Sequence, residues 1–274
     1  MDIVCINECL PAHRSKYSFI DQIFSFNRSR NPDVRFHYIS DNATSCPHVF
    51  NHDIQEYKGD ACNQFKDAYV HLSDNPYDFE LACFLRWIIL SAFIQKLKLD
   101  RILYLDNDVA VYTPLHTWPE QILNCSYSLS RGSSPHTNFI NDTGYLFRFI
   151  DYFQKIYQEK SAAPMQDLKK LRQIFIEKKQ YGGVSDMTLW NRFRREDTVS
   201  SPIEDISSII VDEFTFDHNI NDTADYESRD SAKNIKLKGG LPSCYNTKLS
   251  KEIKFNTIHF QGGAKRLIAH YIND

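Results

Sequence analysis

The sequence lacks a long apolar segment and the pattern of a secretory leader. No apolar run among its 274 residues reaches the roughly 18 residues that a membrane-spanning helix needs. Met1 to Leu10 does not contain a basic stretch followed by an apolar one, which is the pattern of a signal peptide. We therefore expect a cytoplasmic protein, although a piece of a longer membrane-anchored protein would show the same pattern.

Paired cysteines and an excess of basic charge are also missing. The seven cysteines are scattered without a Cys-x-x-Cys pair, which favours reduced thiols over a disulfide framework. The formal net charge is -3, whereas proteins that bind duplex nucleic acid are usually strongly basic. We therefore expect no nucleic-acid partner. The hydrophobic fraction of 42% predicts an ordinary globular chain with a buried core.

Hydrophobic periodicity predicts an α/β fold in the first half of the chain. A buried strand is expected at Ile3 to Ile6, a helix with an apolar face around residues 19–26, and a second strand at Val34 to Ile39. A strand, a helix and a strand at this spacing indicate a βαβ unit and a parallel sheet. The strongest helix is predicted from Phe79 to Leu97, with Asp78 as its N-cap. Strands are predicted to follow it at residues 101–105 and 110–112.

The second half has a less regular pattern and no visible linker or internal repeat. Helices are predicted at residues 149–159, 165–179 and 186–193, and strands at 209–211 and 255–258. The polar stretch from about residue 217 to 243 is predicted to be a loop region. We therefore expect one domain that spans residues 1–274, with a mixed sheet flanked by helices.

Two carboxylates follow the predicted strand at residues 101–105. Asp106 and Asp108 are separated by one residue, so in an extended segment both side chains point to the same side. Open α/β sheets bind ligands at the carboxyl ends of their strands. Hard oxygen ligands suit Mg²⁺ or Mn²⁺, which would offset the charge on a departing diphosphate. The alternative is a turn in which the aspartates cap backbone N–H groups.

A second polar cluster follows the predicted strand at residues 255–258. His259 can add a nitrogen ligand to a metal that carboxylates already bind. Gly262 and Gly263 allow the backbone to approach a phosphate closely, and Lys265 can supply it with a positive charge. The alternative is a surface turn that happens to begin with a histidine.

Together the two clusters carry a family resemblance. Leu105-Asp106-Asn107-Asp108 with His259-x-x-Gly262-x-x-Lys265 resembles the paired signature of glycosyltransferase family 8, which has a GT-A fold. Three looser segments lie in the family's order along the chain: Phe84-Leu85-Arg86-Trp87, Phe139 to Gly144, and Ser185 to Asn191. The chain departs from the family at Ser185, where a glutamine is frequent, and at Arg266-Leu267, which replaces the usual Pro-Trp.

The resemblance implies a retaining transferase with a Rossmann-like GT-A fold. It implies a nucleotide-binding half at residues 1–113 and an acceptor-binding half at 114–274. It also implies Mn²⁺ or Mg²⁺ as the cofactor, UDP-glucose or UDP-galactose as the donor, and a carbohydrate or other hydroxyl acceptor. The implied metal ligands are Asp106, Asp108 and His259. The implied nucleotide and donor contacts are Asn7, Glu8, Arg86, Asn107, Gly262 and Lys265.

Two of the candidate catalytic residues have an alternative structural interpretation. Asp186 is a candidate for the carboxylate near the reacting carbon, where it would orient sugar hydroxyls or stabilise the cation. It is also a good N-cap for the helix that follows it. Arg86 lies within an apolar helix and must have a partner, which is either the donor or a core carboxylate.

Other classes of protein remain as alternatives at this stage. A nucleotidyltransferase also uses paired carboxylates and Mg²⁺, and a non-catalytic binder of sugar nucleotides or carbohydrates would have the same fold. The C-terminal residues 265–272 mix basic and apolar side chains. They would suit peripheral contact with the inner face of a membrane, or a helix packed on the domain.

Overall fold

The computed structural model describes residues 1–8 and 19–272. Their strands and helices form a mixed α/β fold, which confirms the predicted fold class. The strands are β1 Asp2–Asn7, β2 Phe36–Ser40, β3 Val49–Asp53, β4 Ile102–Leu105, β5 Val109–Val111, β6 Thr137–Ile140, β7 Phe214–Phe216, β8 Ser228–Arg229, β9 Ala232–Lys233, β10 Lys236–Lys238, β11 Leu241–Asn246 and β12 Lys251–His259. The α-helices are α1 Ile20–Arg30, α2 Asp60–Ala68, α3 Tyr77–Leu97, α4 Glu120–Leu123, α5 Thr143–Gln158, α6 Ala163–Glu177, α7 Asp186–Glu196 and α8 Ile268–Ile272.

The first sheet has the strand order β3-β2-β1-β4-β6. Its first four strands are parallel, and β6 is antiparallel to β4. All residues of β1 and β4 are buried, as expected for central strands of a sheet that is covered on both faces. The predicted βαβ unit is therefore confirmed, and β4 ends at the acidic residues that the sequence singled out.

The second sheet has the order β10-β11-β12-β5, and β7 pairs in parallel with β12. Strand β5 begins directly after the acidic turn, and its Val109 lies opposite His259 of β12. Strand pairing therefore brings the C-terminal histidine next to Asp108, although the two residues are far apart in the sequence.

Helix α3 is buried around most of its circumference because its apolar residues are not confined to one face. Trp87 and Phe84 are among its fully buried side chains. Its N-cap is Pro76, and Asp78 lies in the first turn, so the predicted N-cap is wrong. The reason is that proline suits the extended backbone before a helix, so the helix begins two residues earlier than predicted.

Several predicted elements in the second half differ from the observed ones. No strand forms at residues 209–211; a 3-10 helix precedes them at Ile206–Ser208, and β7 follows them. The stretch 217–243 is not a loop throughout, because it contains β8, β9, β10 and the start of β11. These strands are two to six residues long, which is too short to give a clear alternating pattern.

The core has two layers that the first sheet separates. Val4 and Tyr104 pack on one side, where α3 and α5 cover the sheet. Ile3 and Leu103 pack on the other side, against α1 and the second sheet. Alternation of side chains along each strand produces this division.

The C-terminal segment packs on the domain. Ile268 and Ile272 are buried in the core, and the backbone carbonyl of Tyr271 accepts a hydrogen bond from the Tyr112 hydroxyl at 3.0 Å. The apolar residues of α8 therefore serve packing. No helix in residues 1–8 and 19–272 is both long enough and apolar enough to cross a membrane.

Candidate metal and nucleotide site

The acidic turn between β4 and β5 is held in place by backbone hydrogen bonds. Asp106 donates its N–H to the His136 carbonyl at 2.9 Å, and Val109 donates to the Asp106 carbonyl at 3.2 Å. Phe260, just beyond β12, donates its N–H to the Asp108 carbonyl at 2.9 Å. The N-terminal and C-terminal motifs are thus joined through the backbone.

The side chains of Asp106, Asp108 and His259 converge on one point. One ligand atom from each lies within 4.8 Å of the others. The imidazole Nδ1 of His259 is 2.8 Å from the backbone carbonyl of His218, so this nitrogen carries the proton and donates it. The other nitrogen, Nε2, lies 3.4 Å from Asp108 Oδ1 and carries the second proton when the imidazole is cationic. Loss of that proton leaves the lone pair on Nε2, which is the form that a histidine ligand to a metal requires.

The chemistry of these donors fits a divalent cation. Two carboxylates and one imidazole are ligands for ions such as Mn²⁺. Between the two aspartates, the side-chain oxygen of Asn107 is buried and has no hydrogen-bond partner in the described part of the chain. Its amide nitrogen donates to the Ile6 carbonyl at 3.2 Å, which fixes the side chain at the end of β1. An unpaired buried oxygen is a further potential acceptor beside the acidic pair.

The charges around Asp108 are balanced by two cationic groups. The Lys265 ammonium donates a hydrogen bond to Asp108 Oδ2. Burial opposes ionisation of Asp108, but His259 and Lys265 together hold the pKa of this carboxyl well below its usual range. Burial likewise opposes protonation of His259, and the Asp108 carboxylate raises the pKa of the imidazole despite it. The group is therefore built to keep the Asp108 carboxylate ionised.

Arg86 connects the acidic turn to α7. Its Nη1 donates to Asp106 Oδ1 at 2.9 Å, and its Nη2 donates to Asp186 Oδ2 at 2.5 Å. The Tyr104 hydroxyl also donates to Asp106 Oδ1 at 2.9 Å, and the Trp87 indole donates to Asp186 Oδ2 at 3.0 Å. Arg86 therefore has two carboxylate partners within the protein, and they hold its guanidinium in one orientation. Its contact with a donor stays a prediction.

The alternative interpretation of Asp186 as an N-cap is wrong. Ser185 occupies that position and exchanges hydrogen bonds with Thr188 in a capping box. Asp186 is the first helical residue, and its carboxylate points towards Arg86 and Trp87. The side chain is thus available for a role that does not depend on starting the helix.

A cavity of about 1070 Å³ contains all of the predicted site residues in its wall. This volume is slightly above the usual range of about 300–1,000 Å³ for small-molecule sites. The predicted residues in the wall are Asn7, Glu8, Arg86, Asp106, Asn107, Asp108, Asp186, His259, Gly262 and Lys265. The structure therefore brings the whole predicted set together in one place.

Glu8 and the glycine turn at Gly262 and Gly263 line other parts of the same cavity wall. Glu8 is paired with Lys58 at 2.7 Å, which offsets the charge of this carboxylate in the cavity wall. Gly262 has a φ of +61°, a left-handed conformation that favours glycine. Apart from neighbours in the chain, no atom of residues 1–8 and 19–272 lies within 4 Å of the position that a Cβ would take at Gly262 or Gly263. The backbone at this turn is therefore open to a close approach.

A buried ion pair behind His259 was not predicted from the sequence. Lys233 Nζ donates to Asp217 Oδ1 at 2.8 Å, and Asp217 Oδ2 accepts the backbone N–H of His259 at 3.1 Å. His136 stacks on the His259 ring with a centroid distance of 4.1 Å. No motif marks these residues, because they come together only through the pairing of strands.

Comparison with known proteins finds partial likeness in structure only. No protein family matches the chain, and no curated protein does. Mouse xyloside xylosyltransferase 1 covers 71% of this chain over 81% of its own length, with 14% identity and a TM-score of 0.44. The galactosyltransferase LgtC, in complex with donor and acceptor sugar analogs, covers 70% over 69% of its length, with 15% identity and a TM-score of 0.36. The PaToxG glycosyltransferase covers 73% over 79%, with 14% identity and a TM-score of 0.35.

These structures belong to glycosyltransferases, and they share part of the architecture of this chain. Their TM-scores lie below 0.5, so the argument for function rests on the geometry of the site.

Proposed function

We propose that this chain is a metal-dependent glycosyltransferase of the GT-A type. It would transfer a hexose, glucose or galactose, from a UDP-sugar to a hydroxyl group of an acceptor, with retention of configuration as the resemblance to glycosyltransferase family 8 implies. One observation supports this most strongly. Three ligand atoms within 4.8 Å of one another, from two segments that are distant in the sequence, share a cavity with a lysine and an open glycine turn.

The residues around the acidic turn would bind the cation and the diphosphate. Asp106, Asp108 and His259 would hold the metal, which supplies stabilisation for the negative charge on the departing diphosphate. A cation on Asp108 would compete with the Lys265 ammonium for the same carboxylate. Lys265 would then be free to pair with a phosphate, with Gly262 allowing the backbone to come close.

Arg86 and Asp186 would act on the donor sugar. Arg86 donates a hydrogen bond to Oδ1 of Asp106, which would leave Oδ2 for the cation. Asp186 is held between Arg86 and Trp87, so its carboxylate is fixed in the cavity wall. A carboxylate in that position would orient sugar hydroxyls or stabilise positive charge on the anomeric carbon. Asn7 and Glu8, at the end of β1, would contact the nucleoside.

The proposal is tested by the hydrolysis and transfer of donors. The protein is incubated with Mn²⁺ and a panel of UDP-sugars, and the release of UDP is followed. We expect release from UDP-glucose or UDP-galactose that chelation of the metal abolishes. Asp108→Asn removes one ligand charge and should reduce the rate about 100-fold or more, as the loss of a group that stabilises developing charge usually does.

The matched control is Asp225→Asn, because Asp225 belongs to another acid-x-acid pair and is not in the cavity wall. It should leave UDP release unchanged. If no donor is consumed, and if UDP binds equally well with or without Mn²⁺ and in Asp108→Asn, the proposal is wrong. Metal-dependent UDP binding without any turnover would instead indicate a non-catalytic binder.

A further inference from the structure

An exposed aromatic ring in the cavity wall is held by a chain of hydrogen bonds. Tyr181 is 75% exposed, yet its hydroxyl donates to Asn75 Oδ1 at 2.9 Å. The Asn75 amide donates in turn to Glu80 Oε2 at 2.8 Å, and Glu80 is 1% exposed. All three residues line the cavity that contains the acidic pair. The ring is therefore fixed in position without being covered by protein.

The backbone that follows Tyr181 is clamped to the segment before α3. Gly182 and Asp74 form two hydrogen bonds: the Asp74 N–H donates to the Gly182 carbonyl, and the Gly182 N–H donates to the Asp74 carboxylate, both at 3.0 Å. Arg172 reaches the same carbonyl at 2.9 Å and Asp74 Oδ1 at 2.5 Å. The next residue, Gly183, approaches the backbone so closely that a Cβ there would lie 2.3 Å from the Leu72 carbonyl oxygen.

This clamp does not contribute to the metal or diphosphate contacts. Its one arginine, Arg172, is already paired with Asp74, so it offers little attraction to a phosphate. The exposed ring of Phe79 lines the same cavity. The cavity wall therefore includes two exposed aromatic side chains, of which Tyr181 is hydrogen-bonded to the Asn75 amide. Such a surface suits a neutral ligand with C–H faces and hydroxyl edges, because aromatic faces carry partial negative charge and attract C–H groups.

We propose that Tyr181 and Phe79 form the acceptor subsite, and that the acceptor is a saccharide whose pyranose ring packs on Tyr181. This inference rests on the proposed transferase function and names the class of its second substrate. Tyr181 is the residue that determines specificity, and its hydroxyl is held by Asn75. Asn75 and Glu80 are positioning residues, because they act through the tyrosine ring.

The test measures binding of methyl β-lactoside, methyl α-glucoside and methyl β-galactoside by saturation-transfer NMR in the presence of UDP and Mg²⁺. We expect at least one glycoside to bind the wild-type protein, and Tyr181→Ala to raise its Kd about tenfold, the effect of losing one aromatic contact. Tyr181→Phe keeps the ring and should stay within about threefold of the wild type. Phe50→Ala is the matched control, because Phe50 is 52% exposed and is not in the cavity wall.

The outcomes separate this inference from the proposed function. If UDP binds with the metal and donors are hydrolysed, but no glycoside binds, the saccharide subsite is wrong while the transferase proposal stands. Equal affinities for Tyr181→Ala and Phe50→Ala would also overturn the subsite. If UDP itself does not bind, the transferase proposal fails, and glycoside binding that is lost in Tyr181→Ala would still locate a saccharide site.

Discussion

Replacing Lys233 by methionine should weaken both the fold and the proposed metal site. The Lys233 and Asp217 side chains are 3% and 0% exposed, and the ammonium lies 2.8 Å from the carboxylate. Methionine keeps most of the volume but leaves the Asp217 charge buried without a partner. Removing one member of a buried ion pair costs about 3–5 kcal/mol in the free energy of unfolding. Since Asp217 also accepts the His259 N–H, a change in Asp217 would displace the imidazole.

Urea unfolding and a calorimetric titration with Mn²⁺ measure the two effects. We expect the free energy of unfolding to fall by about 3–5 kcal/mol. We also expect the Mn²⁺ affinity to fall about tenfold or more, the usual effect of losing a group that orients a metal ligand. Combining Lys233→Met with Asp217→Asn should restore most of the stability, because asparagine removes the charge and keeps an oxygen for the His259 N–H. Lys254→Met is the control, since Lys254 and Glu213 are 41% and 56% exposed and such pairs contribute about 0–1 kcal/mol.

If Lys233→Met costs no more than Lys254→Met, the buried ion pair does not support the fold as described. If the double variant is as unstable as the single one, an unpaired charge is not the cause.

Three further substitutions test other parts of the account. Arg86→Lys cannot donate to Asp106 and Asp186 with one planar group, so UDP release should fall about tenfold or more; an unchanged rate contradicts this. Burial lowers the pKa of His37 to about 4, so the unfolded chain binds the proton before the folded chain does. The free energy of unfolding should therefore fall by up to about 3 kcal/mol as the pH drops from about 6.5 to 4. Urea unfolding of His37→Asn across this pH range should show a smaller loss. Gly183→Ala should cost about 2 kcal/mol or more by thermal unfolding, because its φ is +148° and Leu72 is too close; no loss would disprove the clamp.

The clustering of the candidate metal and phosphate residues could be predicted because each motif is a short run beside a buried strand. Asp106 and Asp108 directly follow β4, and His259 is the last residue of β12. A short segment is enough to predict such a site, because ligands bind at the carboxyl ends of strands and the strand itself is visible in the sequence. The contacts that orient these residues have no such signal: the Lys233–Asp217 pair depends on the packing of a region predicted to be a loop.

The prediction of secondary structure failed where two neighbouring residues could both cap a helix, or where contacts between distant strands decided the outcome. Strand β3 has mostly partly exposed or exposed residues at the edge of the sheet, so its sequence lacks a strong apolar pattern. Strand β6 was not predicted, although its last two residues lie in one of the looser family-like segments. At α7 the N-cap is Ser185, whereas Asp186, the residue that the sequence suggested as N-cap, pairs with Arg86. Tyr181 could not be singled out, because its hydrogen-bond partner Asn75 is distant in the sequence.

The most direct test of the central claim is the position of the bound cation. Crystals of the protein with Mn²⁺ and UDP would be measured for anomalous scattering at the manganese edge. We predict one strong peak within coordination distance of Asp106, Asp108 and His259, with a diphosphate oxygen beside it, and its loss in Asp108→Asn. A peak elsewhere in the molecule, or UDP bound in this cavity with no metal between it and the acidic pair, would contradict the account.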